Sequence, residues 1–285
     1  LKSIYTLQTD IEELLKTKGW MSNGLAEELG RSIAGTLNNQ FNALRQPSLR
    51  LSQMGPKCPK ALWYSIHHPE LAEPVQPWAQ AKFSFGHFWE AYAIMLTKAA
   101  GHEVSHEQHE CELNGVKGHI DGIVDGCLVD YKSCSSRQFQ KYKANQLEGD
   151  DPFGYLDQLD GYTTSLRKES FLTVKDKGYI IAVHRDMGHI HVYEHRVRDT
   201  IRERVEAYKR IVDNSNIPEC TCATTSQGSG GNIILGTTAS YSAQKWTCFP
   251  ELKCFLYKNG PVYFVKGRPR DALREVDKDG NTIHS

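Results

Sequence analysis

One stretch limits the fold more than any other: Gly118 to Ser133, GHIDGIVDGCLVDYKS. Asp125-Gly126 stands between two short apolar runs, the pattern of a tight two-residue hairpin. With those two residues as the turn, Val124 faces Cys127, and counting outward Asp121 faces Asp130. Opposed residues on one face of a hairpin have Cβ atoms about 5 Å apart, where like charges destabilise. Lys132, two residues past Asp130, shares its face. On an exposed edge, Lys132 would simply be a counter-ion to the pair. Ile120, Ile123, Val124, Leu128 and Val129 supply apolar side chains on both faces, which places the hairpin inside a sheet. Charges at the end of a buried strand pair need a partner.

Two remedies are open to such a pair. One carboxyl takes up a proton, or a divalent cation sits between them. Oxygen ligands suit Mg²⁺ or Mn²⁺, which take one or two carboxylates and keep waters. Such an ion neutralises developing charge and activates water, and Lys132 would orient that water. Glu90, in the helical run Gly86-His-Phe-Trp-Glu90, is the candidate third carboxylate, with His87 on the same face. Taken alone, Glu90 reads rather as part of a solvated helix face; beside the hairpin the two readings are even.

Apolar spacing predicts helices over 6–16 and 23–45, then a loop holding Pro47, Pro56, Cys58 and Pro59. A helix is expected over 83–100, ending at Gly101. Strands follow at about 103–113, 116–124 and 127–133, the first two joined by Asn114-Gly115. Helical spacing returns over 154–168 and 198–213, with a strand pair at 178–184 and 189–196 between them. The Ser, Thr and Gly-rich stretch 223–240 reads as a mobile loop, and Asn259-Gly260 as one more hairpin turn. This order implies an α/β core over roughly 80–215.

The 285 residues suffice for a sizeable core. Thirty-four basic and 34 acidic residues cancel, which excludes a strongly basic protein but leaves room for a local basic groove. No apolar run is long enough to span a membrane, and the opening residues contain no signal-peptide h-region. Eight cysteines scattered through such a chain read as reduced thiols or metal ligands. The expected location is therefore cytoplasmic.

The helical Glu90, then Gly-His-Ile-Asp121, then Val-Asp130-Tyr-Lys132, resembles the core of the PD-(D/E)XK nucleases. Gln158-Leu-Asp-Gly-Tyr162 on the next helix resembles the Q-x-x-x-Y motif of the RecB-like branch. The segment 49–64, LRLSQMGPKCPKALWY, is similar to the N-terminal element of RecB-like exonucleases, phage-encoded and CRISPR-associated ones included. The resemblance covers about residues 49–215. It implies a restriction-endonuclease-like core, a central mixed β-sheet flanked by helices. A helical segment over 1–48 would precede it, and a Cys-containing loop and hairpin region over 216–285 would follow.

The function so implied is Mg²⁺- or Mn²⁺-dependent exonuclease action on DNA ends, in recombination, repair or phage DNA metabolism. The metal would be held by Asp121, Asp130, Glu90 and the Tyr131 carbonyl. Lys132 would position water, and Gln158 and Tyr162 would hold the substrate strand. A structure-specific or restriction-like endonuclease and a non-catalytic DNA-end binding subunit are the alternatives. DNA is the implied partner, and a second copy or a recombination protein would be compatible.

Two features depart from the branch. Glu90 stands where many members carry a ligand His, which leaves His87 as a doubtful substitute. Some members hold an iron–sulfur cluster on one leading and three trailing cysteines. Here Cys58 leads, Cys248 and Cys254 trail without the usual C-x-x-C, and Cys220 or Cys222 would supply the fourth thiolate. Cys111, Cys127 and Cys134 read as packing residues. His102, His106 and His109 offer a weaker zinc alternative. Arg198, Arg202, Arg204, Lys209, Arg210, Lys141 and Lys143 could follow a DNA backbone, and Trp63, Tyr64 and Trp89 could stack on bases.

Overall fold

The computed structural model describes residues 2–43, 46–221, 225–227, 233–235 and 241–248. The chain divides into two compact units. The first comprises residues 1–46, 50–55 and 76–206, and the second 47–49, 56–75 and 207–285.

The first unit is α/β. Its helices are α1 (Leu7–Lys16), α2 (Asn23–Asn42), α4 (Pro77–Ala99), α5 (Ser136–Lys143) and α6 (Tyr155–Leu166), and α7 (Ile201–Asp213) begins in it. Its strands are β1 (Val104–Ser105), β2 (Glu110–Leu113), β3 (Val116–His119), β4 (Gly122–Val124), β5 (Cys127–Cys134), β6 (Lys177–His184) and β7 (Ile190–Arg196). Five of these form the central mixed sheet in the order β1-β4-β5-β6-β7. Only β5 and β6 run parallel; the other neighbours are antiparallel. The strand β5 lies in the middle, and the apolar residues predicted to bury it do so: Ile120, Ile123, Val124, Leu128 and Val129 are at most 1% exposed.

Two predicted strands are each broken in two. The run 103–113 leaves the sheet after Ser105, and 116–124 enters it only at Gly122, so β2 and β3 pair as a separate hairpin. The first break contains His106 and Gln108, both in the left-handed region at φ 55° and 54°. Non-glycine residues enter that region at a cost of about 1 kcal/mol, so no continuous strand passes here. Both hairpin turns are as expected: Asn114-Gly115 and Asp125-Gly126 have positive φ at both positions, the geometry their residue types favour.

Helix α4 starts at Pro77, earlier than apolar spacing indicated, with proline at its first position. It ends before Gly101, whose φ is +84°. Helix α2 ends at Asn42. Helix α5 was not anticipated, since only Phe139 and Tyr142 of its eight residues are buried.

In the second unit, α3 (Pro59–His67) occupies part of the expected proline-rich loop, and α8 (Lys245–Cys248) is a single turn. Within the stretch read as a mobile loop, β8 (Thr225–Gln227) and β9 (Ile233–Leu235) pair antiparallel. The hairpin expected at Asn259-Gly260 lies outside the described residues. Among the described residues no helix is long and apolar enough to cross a membrane.

Candidate active site

The ladder between β4 and β5 ends at Gly122↔Val129. One residue further out, the strands separate, while β5 continues beside β6 as far as Cys134. At this fork the Tyr131 amide has no β4 carbonyl to meet. The Asp121 side chain takes that place: its Oδ2 accepts the Tyr131 N–H at 2.7 Å. The hairpin count is correct, and Asp121 and Asp130 are the next facing positions after the last ladder pair.

Asp130 is 1% exposed. Its Oδ1 accepts hydrogen bonds from Lys132 Nζ at 2.9 Å and Gln158 Nε2 at 3.1 Å. Its Oδ2 lies 2.7 Å from the same ammonium but accepts no hydrogen bond. The ion pair is made and the lone pairs are not satisfied. Gln158 also donates to the Tyr162 hydroxyl at 3.2 Å, so the motif pair on α6 acts as one arm. Gly118 makes room for that arm. A Cβ built there would lie 2.5 Å from Cε1 of Tyr162, so only glycine lets the ring pass β3.

Burial, then the facing Asp130 and Glu90 carboxylates, push the Asp121 carboxyl well above its ordinary range. Burial also raises Asp130, against the opposing pull of Lys132. For Lys132, burial disfavours the ammonium, but Asp130 and Asp121 outweigh it and hold the group above the usual lysine value. Two carboxyls that resist ionising together, joined to a lysine that stays charged, form a site one positive charge short.

Glu90 faces this pair from α4. Its Oε1 accepts from Gln108 Nε2 at 3.2 Å, and His87 Nδ1 is 3.9 Å from its other oxygen. Gln108 comes from the left-handed segment that interrupts the predicted strand. Sequence reasoning missed it, because nothing in Ser-His-Glu-Gln-His marks a turn. Tyr155 was missed too: its ring lies 5.2 Å beneath Lys132 Nζ.

Other expected side chains are engaged elsewhere. The Tyr131 hydroxyl meets Thr97 Oγ1 at 3.2 Å on the α4 side, so only its backbone belongs to the site. Arg198 pairs with Asp157 and Asp160, and Arg204 with Asp157, which ties these cations to the far side of α6. Lys141 pairs with Asp150. Trp63 is buried; its indole N–H donates to the Asn214 carbonyl at 2.8 Å and its ring stacks on His67. Trp89 packs against the core. His102 is clamped by Asp125 and Asp10, whereas His106 stacks on Phe171, so the three histidines form no zinc site.

Cys111, Cys127 and Cys134 are buried, and burial pushes the Cys127 thiol up to about 11 and Cys134 to about 12. In the second unit the sulfurs of Cys58 and Cys220 are 3.3 Å apart, too far for a disulfide bond. Cys248 is buried, and Cys222 and Cys254 lie outside the described residues.

Among the described residues no three His, Cys, Asp or Glu side chains converge as a ready set of metal ligands. The Asp121–Asp130 pair nevertheless suits a hard cation. It offers a buried oxygen with no hydrogen bond and two carboxyls whose ionised forms repel, and Mg²⁺ needs only one or two carboxylates beside its waters.

No protein-family model matches the chain, and no curated protein matches it. Among solved structures it is similar to the crystal structure of SSO0001, at 14% identity and a TM-score of 0.33, over 69% of this chain and 89% of that one. A likeness of that size carries no functional argument.

Proposed function

We propose that the chain is a metal-dependent deoxyribonuclease, an exonuclease that hydrolyses phosphodiester bonds from a DNA end on a RecB-like, restriction-endonuclease-like core. The observation that carries this reading is the buried Asp130 carboxylate, gripped by Lys132 and Gln158 and facing Asp121 across the strand fork. Structural ion pairs seldom set two like charges abreast where water cannot screen them.

Asp121 and Asp130 would hold Mg²⁺ or Mn²⁺, with Glu90 and the Tyr131 carbonyl completing the protein's share. When bound, the ion neutralises charge on the phosphate and lowers the pKa of a bound water. The protein's own groups do the positioning. Lys132, kept protonated by its neighbours, directs the attacking oxygen and meets charge on the phosphate. Gln158 fixes the Asp130 carboxylate and exchanges that contact for the substrate strand. Tyr162 sets the orientation of Gln158. In the second unit, the close approach of Cys58 and Cys220 supports a thiolate-bound cluster with Cys222, Cys248 or Cys254 as further ligands.

The test is cleavage of end-labelled linear DNA with Mg²⁺, Mn²⁺ or EDTA, beside a closed circle. The parent should degrade the linear strand with metal, spare the circle, and do nothing in EDTA. Asp130→Asn and Lys132→Ala should each lose about a hundred- to a thousandfold in rate, as removal of a main charge-stabilising group does. Parent-like cleavage by either variant would refute the assignment.

A further inference from the structure

Left-handed backbone away from glycine occurs, among the described residues, at Asn114, Asp125, Asn145, His106 and Gln108. Asparagine and aspartate suit that region and histidine enters it more readily than most, but glutamine does not. The two hairpin turns, where only a reversal is needed, thus carry suited residues. Gln108, at φ 54°, is the unsuited one.

Its contacts do not offset the strain. Gln108 is exposed, and its Nε2 donates to Glu90 Oε1 at 3.2 Å. A surface side chain contributes less to stability than left-handed backbone costs. Strain that folding does not need is kept where the segment serves a site.

The segment is fastened beside the acidic cluster. The His109 carbonyl accepts the amide of Ile120, the residue before Asp121, at 3.1 Å. Glu107 pairs with Lys98 further along α4, and the rings of His106 and His109 lie against Phe171, with centroids 3.8 and 5.5 Å away. These anchors hold residues 106–109 without the Gln108 side chain, so its bond to Glu90 is not what shapes the loop. An amide also suits the task. It orients a carboxylate through one oxygen and leaves the charge in place for a cation, whereas lysine or arginine would compete with the ion.

Resting on the metal site of the nuclease reading, we infer that Gln108 is a positioning residue that holds the Glu90 carboxylate for the divalent cation at the Asp121–Asp130 fork. Partners that hydrogen-bond a ligating carboxylate set metal affinity by about 10- to 100-fold.

Mn²⁺ alone, titrated calorimetrically into the full chain without DNA, tests this on the parent, Gln108→Gly, Glu90→Gln and the double variant, with thermal melts in EDTA. Glycine accepts φ 54° and cannot reach Glu90. Gln108→Gly should therefore bind Mn²⁺ about 10- to 100-fold more weakly than the parent while melting no lower. In the Glu90→Gln background it should change affinity no further, because Gln108 acts only through that carboxylate. Parent-like affinity of Gln108→Gly, an additive loss in the double variant, or a melting temperature below the parent's would each overturn the inference. Cleavage assays on the same proteins separate the two readings. A parent with this Mn²⁺ pattern that cuts no DNA keeps the role of Gln108 and loses the nuclease. A parent that cuts DNA, with Mn²⁺ affinity unchanged in Gln108→Gly, does the reverse, and one that binds no Mn²⁺ loses both.

Discussion

At the scale of single residues, the site works through charges that disfavour one another. Asp121 illustrates the balance. Its carboxyl is raised above the ordinary aspartate value by burial and by Asp130 and Glu90, so the folded state holds the proton more tightly than the unfolded chain. Between the ordinary pKa and the raised one, folding takes up a proton, and stability falls as pH rises through that window. Below the window both states are protonated and the penalty vanishes. Asp121→Asn keeps an acceptor for the Tyr131 amide and removes the charge. In EDTA at pH 7 it should therefore melt above the parent, with the gain fading as pH approaches 4. Calorimetry across that range checks it, and an equal or lower melting temperature at pH 7 would contradict the electrostatic account. The Asp121, Asp130 and Lys132 group was legible because a two-residue turn fixes which side chains oppose. Gln108 and Tyr155 were not, since a long-range hydrogen bond and a cation–ring contact leave no local pattern.

At the scale of elements, the site depends on how α6 begins. Asp151 accepts the amides of Gly154 and Leu156 at 3.0 and 2.8 Å, which caps the helix that carries Gln158 and Tyr162. Gly154 has φ +74°, and a Cβ there would sit 2.0 Å from the Gly55 Cα, so two backbone segments cross with no room for a side chain. Gly154→Ala meets left-handed strain and a backbone clash together. It should cost roughly 3 kcal/mol and disturb the Gln158 arm; urea denaturation reads the first effect, and parent-like stability would show that the crossing is not tight. The same scale explains which elements the sequence disclosed. Amphipathic helices and glycine turns announce themselves in the chain. The breaks at 106–109 and 120–121 do not: Ser105 to Glu110 holds neither glycine nor proline, and only sheet pairing reveals either interruption.

At the scale of the whole molecule, acidic and basic residues balance at 34 each, and the cations nearest α6 are neutralised internally by Asp157, Asp160 and Asp150. Arg198, Arg204 and Lys141 are not available to displace counter-ions from DNA. Single-strand affinity should therefore fall only about tenfold between 50 and 200 mM salt, the response of about two phosphate contacts. Anisotropy titrations over that range measure the slope, and a loss of a thousandfold or more would contradict this and require a basic track built from other cations.

The sequence by itself determined the hairpin, its register, the facing carboxylates and the lysine beside them, because a strand alternates every two residues and a tight turn leaves no freedom in the count. It also determined that Gln158 and Tyr162 share a helical face. Tertiary structure alone decided that the ladder stops one residue short of Asp121 and that α6 delivers Gln158 to Asp130. Those outcomes depend on where elements distant in the chain end against one another, and local periodicity carries no information about that.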